Sequence, residues 1–107
     1  MISEGDKKFL DKAMSYLRIS AVKIGWSESK KKYPDLWCYP EERPPRIVVT
    51  QEWRRQNAEN RRSRLTHELL HLKGLQHGKI GKYNYSTYPA KDTYSKAMYR
   101  HILRIMG

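Results

Sequence analysis

His67-Glu68-Leu69-Leu70-His71-Leu72-Lys73-Gly74-Leu75-Gln76-His77 gathers three of the chain's 4 histidines into one short run. At about 3.6 residues per turn, His67 and His71 lie about 40° apart on one face of a helix, one turn above the other, so both imidazoles can reach a single metal ion. Glu68 stands beside that face without being a ligand. There it is expected to hold a zinc-bound water, whose pKa the metal lowers to about 7, and to take its proton as the water attacks a carbonyl. The bland alternative makes the two histidines ordinary residues of an amphipathic helix and Glu68 one more charge on it. The joint spacing on one predicted helix weighs against that.

A catalytic zinc takes three protein ligands and keeps one position open. On an unbroken helix His77 would point about 120° away from His71, so it can ligate only if the chain turns first. Gly74 allows the turn, because glycine readily takes the left-handed conformation that ends helices. The rival is His101, inward-facing on the last predicted helix between Tyr94 and Ile105. A satisfied core histidine is its ordinary use. The spacing favours His77, and His101 stays open as the second candidate.

Outward from this run the chain reads as α+β. Residues 4–18 place Phe9, Leu10, Ala13, Met14 and Leu17 at three-and-four spacing behind Glu4 and Asp6, which predicts an amphipathic N-terminal helix. Val22–Trp26 reads as a first strand. Leu36–Tyr39 and Arg46–Trp53 read as further extended stretches, separated by the proline-rich Pro40–Pro45. Asn57–Gly74 is the metal-binding helix, with Asn57 or Asn60 as cap, Leu65, Leu69 and Leu72 as its apolar stripe and Gly74 as its stop. Gly78–Ala90 reads as loop. Asp92 then caps a C-terminal helix with Tyr94, Ala97, Met98, Ile102 and Ile105 on one side.

The 107 residues fit one domain, 1–107, and 38% hydrophobic content suits a folded chain. The apolar runs are too short for a membrane span of about 20 residues. The N-terminus carries acids where a signal peptide carries bases, so a cytoplasmic location is expected. Cys38 is the 1 cysteine, which excludes an internal disulfide and leaves histidine and carboxylate as metal donors. Its ordinary use is as a small buried hydrophobe, against a blocking thiolate in a latent form. The net charge of +11 raises nucleic acid or acidic surfaces as partners, but the basic residues are scattered and no recognition motif surrounds them.

The run His67–Gly78 matches His-Glu-x-x-His-x-x-Gly-x-x-His-Gly, and so resembles the zinc signature of the metzincin metallopeptidases. That resemblance implies His67, His71 and His77 as ligands and Glu68 as base. Metzincins also carry a methionine turn beneath the metal, whereas Met98 and Met106 here fall in a predicted helix. In size and element order the chain looks more like the minigluzincins, minimal soluble peptidases. This second resemblance implies a zincin-like minimal catalytic domain holding one zinc ion per chain, with a peptide or unfolded protein as substrate. That family uses a histidine where relatives have a downstream glutamate, and no glutamate follows Glu68 here, which suits His77 and His101 alike. It also implies latency, with residues after about Ala90 covering the cleft within one molecule or through an exchanged C-terminal helix in a dimer.

Two further expectations concern substrate and transition state. Arg46–Thr50 could be the sheet edge that receives an extended peptide, or an ordinary internal strand. Tyr83, Tyr85 and Tyr88 follow His77, and none of them is singled out by spacing as the donor that a developing oxyanion needs. The competing function is a basic nucleic-acid or acidic-surface binding module in which zinc only holds the fold. A positioned Glu68 beside at most four histidines speaks against it, since structural zinc sites take four protein ligands.

Overall fold

In the computed structural model, which describes residues 2–107, the N-terminal helix α1 runs Glu4–Leu17. The Ser3 hydroxyl accepts from the Asp6 backbone N–H at 3.1 Å, satisfying one of the helix's orphan donors. Arg18 closes α1 in the left-handed region at φ 58°, and its N–H returns to Met14 and Ser15 carbonyls. Three strands follow, β1 (Lys23–Ser27), β2 (Leu36–Tyr39) and β3 (Arg46–Thr50), in the sheet order β1-β3-β2. β1 pairs parallel with β3 and β2 pairs antiparallel with it. β3 is therefore the central strand, consistent with its burial from Ile47 to Thr50. Of the two readings of Arg46–Thr50, the internal strand holds, and the edge position beside it belongs to β2.

The strand expected over Arg46–Trp53 ends early. Thr50 turns the chain: its hydroxyl donates to the Asp35 carbonyl at 2.6 Å and accepts from the Trp53 N–H at 3.4 Å, so Gln51–Arg54 winds into the short helix α2. Trp53 is fully buried and its indole N–H donates to the Arg61 carbonyl at 3.0 Å. Helix α3 (Ala58–Leu72) comes next, capped by Asn57, whose side chain accepts from the Asn60 N–H at 2.8 Å. Gly78–Ala90, read as loop, contains a hairpin of β4 (Gly78–Ile80) and β5 (Tyr83–Tyr85). Gly81 at φ +59° opens its two-residue connection, the position where a tight hairpin turn needs glycine. A short turn at Pro89–Lys91 leads into α4 (Thr93–Met106).

Among the described residues the result is an α+β fold with four α-helices, a mixed three-stranded sheet and a separate hairpin. Phe9, Leu10 and Ala13 of α1, Leu36, Ile47 and Val49 of the sheet, Trp53, Leu65 and Leu69 of α3, and Tyr99 and Ile102 of α4 form one core. Two buried carboxylates tie α3 to the rest. Asp6 receives Arg61 at 2.8 Å and Arg62 at 3.0 Å, and Asp35 receives Arg64 at 2.9 Å. Among the described residues no helix is long and apolar enough to cross a membrane.

Candidate metal centre

Helix α3 buries Leu65 and Leu69 in the core, which turns His67 and His71 to its other side, toward the hairpin. The helix stops at Leu72. Gly74 takes φ +91°, the Leu75 N–H returns to the Leu70 carbonyl at 3.1 Å, and the chain swings His77 back toward α3. The turn expected at Gly74 is thus the turn that forms.

The three Nε2 atoms converge. His67 and His71 are 3.1 Å apart, His71 and His77 3.0 Å, and His67 and His77 3.2 Å. Tetrahedral zinc with Zn–N bonds of about 2.0–2.1 Å would set these edges near 3.3 Å. The three histidines lie close enough to bind one metal ion.

The outer ring nitrogens select the tautomers. His67 Nδ1 donates to Asp92 Oδ2 at 2.7 Å and His71 Nδ1 donates to the Leu75 carbonyl at 2.9 Å. His77 Nδ1 lies 3.1 Å from the Thr87 hydroxyl, which can accept from it. With the proton on Nδ1, the Nε2 lone pair of each ring points inward, so the short Nε2 contacts have no proton to share. Three lone pairs facing one point suit a cation, and the acceptors behind them fix the tautomer that a ligating imidazole requires. Burial lowers the pKa of His67 despite the Asp92 hydrogen bond, and burial with the neighbouring His71 lowers that of His77, which favours the neutral form.

Asp92 serves two elements. Burial tends to raise its pKa, but hydrogen bonds from His67 and Ser95 outweigh this and hold the carboxyl below the usual range. Its Oδ1 also accepts from the Ser95 N–H at 3.2 Å, capping α4 as expected. Beneath the cluster Tyr85 sits with its ring centroid 4.6, 5.1 and 5.2 Å from those of His67, His71 and His77. Its hydroxyl donates to the His67 carbonyl at 2.5 Å, so it is committed to the scaffold.

Glu68 is buried, with Oε2 3.6 Å from His67 Nε2. Burial pushes its carboxyl up to about 7, against the pull of the Arg64 charge. Cys38 of β2 lies beside it, and burial with the Glu68 charge pushes the thiol up to about 12, so it stays protonated. His101 stands apart from the cluster, its Nε2 2.9 Å from the Tyr16 hydroxyl and its Nδ1 3.1 Å from Arg104. Sequence reasoning missed the ring Tyr85 places under the histidines, the Thr87 and Leu75 acceptors, and the second role of Asp92.

A comparison of the chain with protein families, curated proteins and solved structures finds no match.

Proposed function

We propose that this chain is a zinc-dependent peptidase of minimal zincin type, in keeping with its resemblance to the minigluzincins. His67, His71 and His77 would hold one zinc ion per chain, and Glu68 would act as general base. The observation that carries the reading is the convergence of three Nε2 atoms whose Nδ1 partners are all engaged, with a buried carboxylate alongside. Zinc bound there supplies Lewis acidity that polarises a carbonyl and makes water a nucleophile near neutral pH.

The protein's own groups do the rest. Glu68, with a pKa of about 7, is suited both to accept a proton from an attacking water and to return it to the leaving amine. Burial falls from buried His67 through half-buried His71 to exposed His77, so the cluster is open to solvent on its His77 side. β2 is an edge strand that carries Cys38 beside Glu68, so an extended peptide adding to that edge would lie next to the base. Tyr85 is occupied by the His67 carbonyl, which leaves the oxyanion donor unassigned.

The latency implied by the resemblance would have to work around the position of α4. Asp92 and Ser95, at the start of α4, meet His67 on its Nδ1 side, and Ile102 is in the core. In this position α4 leaves the Nε2 face uncovered, so a latent form would need a segment of a second molecule laid across it, which light scattering over a concentration series tests.

The deciding experiment measures zinc per chain in wild type, His77→Ala and His101→Ala, and casein hydrolysis with Glu68→Ala as the blank. One zinc, lost with His77 and kept with His101, together with cleavage that vanishes in Glu68→Ala, is the expected result. Zinc without cleavage by the wild type would favour a latent precursor or the basic binding module instead.

A further inference from the structure

Beside the histidine cluster lies a groove of about 490 Å³, walled by His77, Lys79, Asn84, Ser86, Tyr88 and Lys91 among others. One of its walls is therefore a proposed metal ligand. A peptide whose scissile carbonyl sits at the metal can reach this groove with a neighbouring group, because His77 belongs to both. Its lining includes two lysines and no carboxylate. Neither Lys79 nor Lys91 forms an ion pair with any described residue, so both ammonium groups are free for a ligand. The adjacent acid, Asp92, is buried and engaged by His67. Lys91 Nζ lies 5.9 Å from the centre of the Tyr88 ring, which keeps its charge at the groove wall.

From this we infer that the groove is a subsite for a carboxylate of the substrate, either an acidic side chain flanking the scissile bond or the peptide's own C-terminus. The inference rests on the peptidase reading of the same site. Lys79 on β4 and Lys91 ahead of α4 approach from two different elements, so they can grip one carboxylate from two sides. The polar groups between them, Asn84, Ser86 and Thr87, suit an anionic guest better than an apolar one. The overall charge of +11 also draws acidic peptides. The test must therefore separate the groove from the general field.

The test titrates matched short peptides, Glu against Gln at one position and free against amidated at the C-terminus, into the zinc-loaded Glu68→Ala protein. The carboxylate-bearing peptide should bind about three- to tenfold more tightly, the gain for two exposed ion pairs. That advantage should disappear in Lys79→Gln/Lys91→Gln, on the exposed groove wall, and survive in Lys7→Gln/Lys8→Gln, exposed on α1. The free and amidated pair tells a terminal carboxylate from a side chain. Equal binding of all peptides, or an equal loss in the α1 control, overturns the inference. Turnover of the same peptides by wild type decides the peptidase reading separately. Cleavage without preference removes only the subsite, and preference without cleavage removes only the peptidase.

Discussion

Asp92 Oδ2 accepts the Nδ1 proton of His67 at 2.7 Å while Oδ1 of the same carboxylate caps α4, so one side chain joins the candidate metal ligand to the C-terminal helix. The two duties can be separated by substitution. Asparagine is as good a cap as aspartate but offers His67 no charge. Asp92→Asn should therefore keep the cap, lose about 1–2 kcal/mol with the charge-assisted bond to buried His67, and weaken zinc binding about 10- to 100-fold. Asp92→Ala should lose the same affinity and about 1 kcal/mol more stability with the cap. Chelator competition and thermal unfolding read the two effects, and wild-type zinc affinity in both variants would show that Asp92 serves the helix alone.

Tyr85 supports all three imidazoles with its ring and the His67 carbonyl with its hydroxyl. Tyr85→Phe removes only the hydroxyl, and should cost about 1 kcal/mol for one lost hydrogen bond, since the His67 carbonyl sits inside α3 and keeps its helix partner, with zinc stoichiometry intact. Tyr85→Ala removes the ring from beneath the histidines. It should cost about 3–5 kcal/mol as a large-to-small core change, and lower zinc affinity as well. Equal zinc affinity in the two variants would limit Tyr85 to packing.

What could be read in the chain follows how local each signal is. The helix Ala58–Leu72 carries its cap, its apolar stripe and its stop within one stretch, and His67, His71 and Gly74 sit at spacings that helical geometry interprets directly. His77 was reachable because its turn is encoded at Gly74, three residues after His71, and not across the fold. Asp92 is 25 residues from its partner, and in sequence it looks like any helix cap. Tyr85 belongs to strands of 3 residues, too short for alternation to register, inside a segment whose glycines read as loop. The β3 boundary failed because Gln51-Glu52-Trp53 reads as extended until the Thr50 hydroxyl captures the Trp53 N–H. β3's central place needed β1 to pair directly with β3 and leave β2, next in sequence, to the far edge, which no local pattern specifies.

Asp6 sets an acid limit on the fold. Burial tends to raise its pKa, but hydrogen bonds from Arg61 and Arg62 outweigh burial and hold it below the ordinary carboxylate value. A carboxylate depressed in the folded state stabilises fully above its unfolded pKa of about 3.9, and the contribution is lost as pH falls through the lower folded value. Asp6→Asn should lower stability by about 2 kcal/mol at pH 7, on the scale of hydrogen bonds to charged groups. The gap between variant and wild type should close below pH 4, as the wild-type carboxyl protonates. Urea denaturation at pH 7 and at pH 3 checks this, and a gap that stays constant would remove the ion pairs as its cause.

Gly74 carries the third histidine into place. Its φ of +91° lies where a side chain is strained, although a methyl group there would meet nothing within 4 Å. The cost of Gly74→Ala is therefore one of backbone conformation, about 1 kcal/mol, and any relief must come by rotating φ toward negative values. That rotation displaces Leu75, whose carbonyl receives His71 Nδ1 at 2.9 Å, and His77, whose Nε2 lies 3.0 Å from that of His71. Zinc affinity should thus fall by more than the small loss in stability accounts for. Asparagine tolerates the left-handed region better than alanine, so Gly74→Asn should recover part of the affinity. If Gly74→Ala binds zinc as tightly as wild type, the turn would be shown to adapt without it, and the spacing of His77 alone would account for the site.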